Sequence, residues 1–268
     1  MLLFEQKAVR FGKEASKCNM RQERGERMPI YKKEAAPNKK RRRVLRAFFA
    51  LVILCAAVWV IAALADSMDS AQLSVPYITQ EGLLPTGCET GSAMMALSYL
   101  GVDASAQDIL SHMVIGELKP KGGGYTAPSP DEAFIGDPYS ESGYGCYPPV
   151  IVRALEDLVP EGMRPADTTG LSLKQLAREY VKNGTPVLVW ATVDMQPAAE
   201  GAQWLVPSTG ELFTWPRGEH CLLLTGYDRF YYYFNDPYEN RGRIAYPKEQ
   251  VNARFTELGS KSAAIIKK

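Results

Sequence analysis

Nineteen consecutive apolar residues, 47–65, divide this chain into two parts that cannot share one solvent. As a helix they rise about 28 Å, close to the hydrocarbon thickness of a bilayer, so the run reads as one transmembrane helix. Charge sorts the same way. Residues 1–46 carry 15 Lys/Arg against 5 Glu, a balance of +10, and the chain total of +1 leaves −9 for the rest. Lys39-Lys40-Arg41-Arg42-Arg43 and Arg46 stand before the run, and Asp66 and Asp69 follow it. By the positive-inside rule the N-terminus stays in the cytoplasm and everything past Ala65 is exported.

Two other readings compete. A basic run can be a nucleic-acid patch, but its contact with an apolar nineteen-mer favours topology, and no nucleic-acid partner is expected. Ala63-Leu64-Ala65 is an A-x-A site, as at the end of a cleaved signal peptide. The apolar run exceeds a usual signal core and the basic region before it is long, so an uncleaved anchor is expected. The expected organisation is a basic cytoplasmic tail (1–46), a membrane anchor (47–65), a polar tether (66–72) and an extracytoplasmic domain (73–268). A start at Met28 would leave a more ordinary basic leader.

Within that domain, apolar spacing gives helices first and strands later. Pro85-Thr86-Gly87-Cys88-Glu89 opens a buried helix that stops at Gly101, with Thr86 and Glu89 at capping-box spacing. Ser105 and Asp108 cap a short helix to about Met113, and Pro148-Pro149 opens another to about Leu158. Ser172 and Gln175 begin one that ends at Asn183-Gly184. Strands are expected at 73–78, 186–193, 204–207, 219–227, 230–235 and 243–246, with a closing helix over 248–258. Between them, 119–147 reads as a long irregular loop whose aromatics would wall a substrate groove. The order argues an α+β domain with a C-terminal antiparallel sheet.

Cys88 falls in the first turn of its helix, where free N–H groups and the helix dipole favour a thiolate. A small buried core residue is the ordinary alternative for such a cysteine. Cys146 and Cys221 are the other exported thiols, expected to pair or to stay buried. No C-x-x-C spacing exists and there are two histidines, so neither a metal nor another cofactor is expected. His112 reads as a cap or surface residue, whereas His220 opens the most apolar strand and can serve Cys88 as base. Asp236, with Asn235 as competitor, ends the next strand and can orient that imidazole. A three-residue loop, 227–229, would set His220 opposite Asp236. Gln80 is a plausible oxyanion donor beside the Cys88 N–H.

Val75-Pro76-Tyr77-Ile78-Thr79-Gln80, Leu84-Pro85-Thr86-Gly87-Cys88-Glu89, Gly143-Tyr144-Gly145-Cys146, Glu219-His220-Cys221-Leu222 and Asn235-Asp236-Pro237 occur in that order. Together they resemble the C39-like papain-fold cysteine peptidases, related to those that process bacteriocins. The resemblance spans about 73–251. It implies a papain-like fold, the Cys88 helix packed on the C-terminal sheet, with Cys88 as nucleophile, His220 as base, Asp236 as orienter and Gln80 in the oxyanion hole. The better-known members are fused to an export ATPase, and no phosphate-loop motif exists here. The expected function is a membrane-anchored extracytoplasmic thiol hydrolase, a cysteine peptidase acting on peptides or proteins at the cell surface. Cell-wall amide hydrolysis, amide transfer, or a non-catalytic surface binding module remain the alternatives.

Overall fold

A long apolar helix stands first in the structure, a computed structural model that describes residues 39–67 and 69–268. The tail 1–38, and with it the question of a start at Met28, lies outside the described residues, as does Met68. Helix α1 (Lys39–Ser67) takes in the basic run and the whole apolar nineteen-mer. Its described apolar side chains are exposed, Trp59 at 75%. Such a helix is long and apolar enough to cross a membrane.

The remainder is α+β. In chain order it runs β1 (Ala71–Gln72), α2 (Cys88–Tyr99), α3 (Ala106–Ser111), β2 (Ile115–Gly116), β3 (Lys119–Lys121), β4 (Gly124–Thr126), β5 (Phe134–Ile135) and α4 (Pro148–Leu155). Then come β6 (Met163–Asp167), α5 (Leu173–Gln175), β7 (Val187–Thr192), β8 (Ala199–Val206), β9 (Glu211–Arg217), β10 (Glu219–Tyr227), β11 (Tyr231–Asp236), β12 (Gly242–Pro247), α6 (Lys248–Glu257) and β13 (Ser262–Lys267). Past α5 the helical path continues through a π turn and a 3-10 turn to Asn183, and Gly184 ends it at φ 87°.

The main sheet is antiparallel, in the order β12-β11-β10-β7-β13-β6, and β1 takes up the end of β10 beyond its last residue paired with β7. Val187-Leu188-Val189-Trp190-Ala191-Thr192 is buried throughout, which is why β7 reads as a continuous apolar run. Leu188, Trp190, Cys221, Leu223 and Ile265 pack with α2 and α4 on one face. Val187, Val189, Ala191, Leu222, Leu224 and Phe234 pack on the other, against Leu173, Leu176, Val181, Val251 and Phe255.

Several expectations need correction. Residues 73–78 form no strand: Ala71 and Gln72 pair with β10, Leu73 adds one N–H bond to the Thr225 carbonyl, and Pro76 has no N–H to donate. Within the stretch 66–72, Asp69 accepts from Arg178 Nε at 2.6 Å, Lys182 Nζ at 2.5 Å and Tyr227 Oη at 2.9 Å. The stretch 119–147 holds β3, β4 and β5 rather than loop alone. Helix α6 does not close the chain: β13 follows it and enters the sheet between β7 and β6.

Candidate active site

Helix α2 starts at Cys88 with Gly87 as its N-cap and no side-chain cap. The capping box expected from Thr86 and Glu89 does not form. The Thr86 hydroxyl instead faces the carbonyls of Asp137 and Ser140, at 3.3 and 3.1 Å. Gly87 is needed for its size, since a Cβ there would lie 2.6 Å from Leu84 Cβ. Gly91, one turn on, brings α2 against Pro237, whose Cβ would be 3.0 Å from a Cβ at that position.

Glu89, freed from capping, turns inward and is wholly buried. Its Oε2 accepts from the Cys88 thiol at 3.4 Å and its Oε1 from the Cys146 N–H at 2.7 Å. Gly145 lets the strap before Cys146 close on this carboxylate, because a Cβ there would stand 2.5 Å from Glu89 Oε1. Glu219 completes the group: its carboxylate, that of Glu89 and the Cys88 sulfur lie within 4.8 Å of one another. Among the described residues, this trio brings donors close enough to share a metal ion.

Burial lifts the Glu89 carboxyl to about 7, against hydrogen bonds that pull it down. Burial and the neighbouring Glu89 push Glu219 well above the carboxylate range, and Lys261 opposes this. Two adjacent carboxyls in a low dielectric share a proton rather than both ionise. The same burial, with Glu89 and Glu219, pushes the Cys88 thiol well above its ordinary value. Desolvation and the two carboxyls thus oppose the thiolate that the helix terminus favours. Cys146 and Cys221 are buried and unpaired, and burial raises both thiols too.

The carboxyl at Glu89 has a testable consequence. Between about 4.5 and about 7 the unfolded chain has released a proton that the folded chain still holds, so stability falls as pH rises through that window. The difference is on the order of 3 kcal/mol. Thermal midpoints across the window are expected to drop with rising pH, and Glu89→Gln to flatten the slope. An unchanged slope in Glu89→Gln would mean that Glu89 is charged in the fold.

His220 and Asp236 come together by a route the expected register did not contain. Tyr227 pairs with Tyr232 and Gly226 with Tyr233, then Leu224 with Phe234 and Leu223 with Asn235. The register steps by one at Thr225, a β-bulge. The turn is longer than expected because the Asp228 carboxylate takes the N–H groups of Phe230 and Tyr231, both at 2.7 Å. Continuing the pairing sets Asp236 opposite Leu222, not His220. Without the bulge it would fall opposite Leu223, on the wrong face of the sheet. With it, Asp236 shares the face of His220 and meets it diagonally, Nε2 to Oδ1 at 2.7 Å.

The pair is buried, His220 at 3% exposure. Asp236 Oδ1 also accepts from the Tyr238 N–H at 3.0 Å, the Tyr238 ring meets the imidazole edge-on, and Arg241 Nη1 lies 3.8 Å from Asp236 Oδ2. Asn235, the competitor, is spent elsewhere: its amide donates to the Val75 carbonyl at 3.1 Å.

Cys88 meets this pair through backbone. The Cys221 N–H donates to Cys88 Sγ at 3.3 Å, and that nitrogen is bonded to the carbonyl carbon of His220. Among the described residues, the thiol's hydrogen bonds go to Glu89 and Cys221 and none joins it to the imidazole. Gln80 is buried beside α2; its N–H donates to the Pro237 carbonyl and its amide Nε2 to the Pro85 carbonyl at 3.0 Å. One turn of chain thus ties the Cys88 loop to the Asp236 loop.

Sequence reasoning missed Glu89, Glu219 and the Cys221 N–H. The signal was adjacency, since each glutamate stands next to a candidate catalytic residue. A cluster of Tyr144, Tyr147, Trp204, Phe213 and Trp215 flanks them, Tyr147 stacked on Trp215 at 6.0 Å, and it includes two of the aromatics expected to wall a groove.

The chain has relatives. The Peptidase C39-like family model matches residues 72–263. The uncharacterized protein YvpB of Bacillus subtilis strain 168 is 28% identical over 184 residues, 69% of this chain and 70% of its own length. A crystal structure from Bacillus anthracis described as a C39-like peptidase overlays with a TM-score of 0.66 and 26% identity, covering 75% of this chain and 98% of that one. A family match over most of the chain, on this fold, makes the protein a member of the Peptidase C39-like family.

Proposed function

We propose that the protein is a membrane-anchored thiol hydrolase, a cysteine peptidase that cleaves peptide bonds outside the cytoplasm. The observation that carries this reading is the buried His220–Asp236 pair with the Cys88 sulfur against the backbone that joins His220 to Cys221. Asp236 holds Nε2–H, which leaves Nδ1 as the basic nitrogen. Cys88 turns from Glu89 to Nδ1, gives up its proton and attacks the amide carbonyl. The Cys88 N–H and the second amide proton of Gln80 receive the oxyanion. The imidazolium then protonates the leaving amine, and water, deprotonated by His220, releases the acyl group from sulfur.

Two measurements test the proposal. Membranes bearing the full chain are compared with those bearing Cys88→Ala, and new amine termini on exported proteins are counted by mass spectrometry. Peptide products that appear with the active chain alone are expected; cell-wall fragments in their place would favour amide hydrolysis of the wall. For topology, the +10/−9 charge split supports an exported domain. Protease added to intact cells is expected to digest the domain and spare the basic tail, whereas a soluble product beginning at Asp66 would mean that α1 is a cleaved signal.

A further inference from the structure

On the face of the sheet away from α2, a cavity of about 240 Å³ opens over the end of β10, bounded by Ala177 and Asn252. Among the described residues, its lining includes four cations, Lys174, Arg178, Arg229 and Lys248, and one carboxylate, Asp69. That carboxylate is already matched by Arg178, Lys182 and the Tyr227 hydroxyl, with the Lys182 contact foremost in holding it at about 2. The buried rings of Tyr227 and Tyr232 form the floor, and the Lys248 ammonium stands over both, 5.2 and 5.0 Å from their centres. Among the described lining residues, cations therefore outnumber carboxylates in a concave, polar space that contains no residue of the candidate active site. Two guanidiniums and two ammoniums suit a compact group with several charged acceptor oxygens.

The geometry points to this cavity as a binding site for a phosphate ester, its phosphoryl group held by Lys174 and Arg229 in the field of the neighbouring cations, with the attached alcohol against Tyr227 and Tyr232. Two sources carry that chemistry, a phospholipid headgroup and a soluble phosphate ester. Asp69 follows Ser67, the end of α1, by two residues, at most about 7 Å of chain. The headgroup source rests on the proposed topology; binding of the phosphoryl group itself does not.

The test uses the full chain in dodecyl maltoside micelles, titrated calorimetrically with glycerol phosphate, inorganic phosphate and acetate. Saturable binding of the phosphates is expected, weakening as salt rises. In Lys174→Gln/Arg229→Gln, with an unchanged thermal midpoint, it is expected to weaken at least about tenfold through loss of charge-assisted contacts. No saturable phosphate binding, equal affinity for acetate, or an affinity untouched by the double substitution would each overturn the assignment. Repeating the titration in nanodiscs containing phosphatidylglycerol identifies the source. A glycerol phosphate isotherm abolished there marks a headgroup site, and an undiminished one marks a site for soluble esters.

Discussion

Cys88→Ala is expected to fold as the parent chain does and to lose essentially all hydrolysis, by about 10⁴-fold or more, as removal of a covalent nucleophile does elsewhere. Folding should survive because Cys88 is small, sits at a helix terminus and makes two weak sulfur contacts, to Glu89 and to the Cys221 N–H. The informative comparison is Cys221→Ala. That cysteine is also buried and lies in the same cluster, but its side chain faces α2 rather than the imidazole. It is expected to cost stability, roughly 1 kcal/mol for a lost buried side chain atom, and little turnover. Thermal melts and initial rates on the same peptide substrate separate the two effects. Equal loss of activity in both variants would leave Cys88 with no special role.

The second large effect lies at Asp236. Asp236→Asn removes the charge that fixes the His220 tautomer and is expected to cut turnover by about 10²- to 10⁴-fold. Asn235→Ala should instead release the carbonyl of Val75 and lower the thermal midpoint, with turnover changed by less than about tenfold, because its amide reaches away from the imidazole. Should Asn235→Ala prove the more damaging to turnover in folded protein, the pairing beyond the Thr225 bulge would not be the functional one.

The residue types of the candidate site were legible because each sits at a structural boundary that sequence marks well. Cys88 begins a helix of small residues, His220 begins an apolar strand, and Asp236 ends the next one before a proline. The contact of His220 with Asp236 was legible too, but the register that makes it was not. Placing Asp236 on the face of His220 depends on one extra residue in β10, and Thr225 in an apolar strand gives no sign of a bulge. Glu89 misled for a similar reason. Its spacing from Thr86 fits a cap, but Gly145 and the Cys146 N–H make a better-satisfied buried position for the carboxylate. In the fold, β6 was hidden by Pro165 and by its edge position, and β13 by Ala263-Ala264, which read equally well as helix. Both pair with residues far away in sequence, and only the packed sheet selects them.

The most direct measurement is rapid acid quenching of the full chain during turnover of a peptide substrate, followed by peptide mapping by mass spectrometry. An acyl adduct on the peptide bearing Cys88 is expected, formed within the first turnover and lost as product appears, and accumulating more slowly in Asp236→Asn. Product formed with Cys88 unmodified at every time point, or an adduct on Cys146 or Cys221 instead, would contradict a Cys88 nucleophile served by His220 and Asp236.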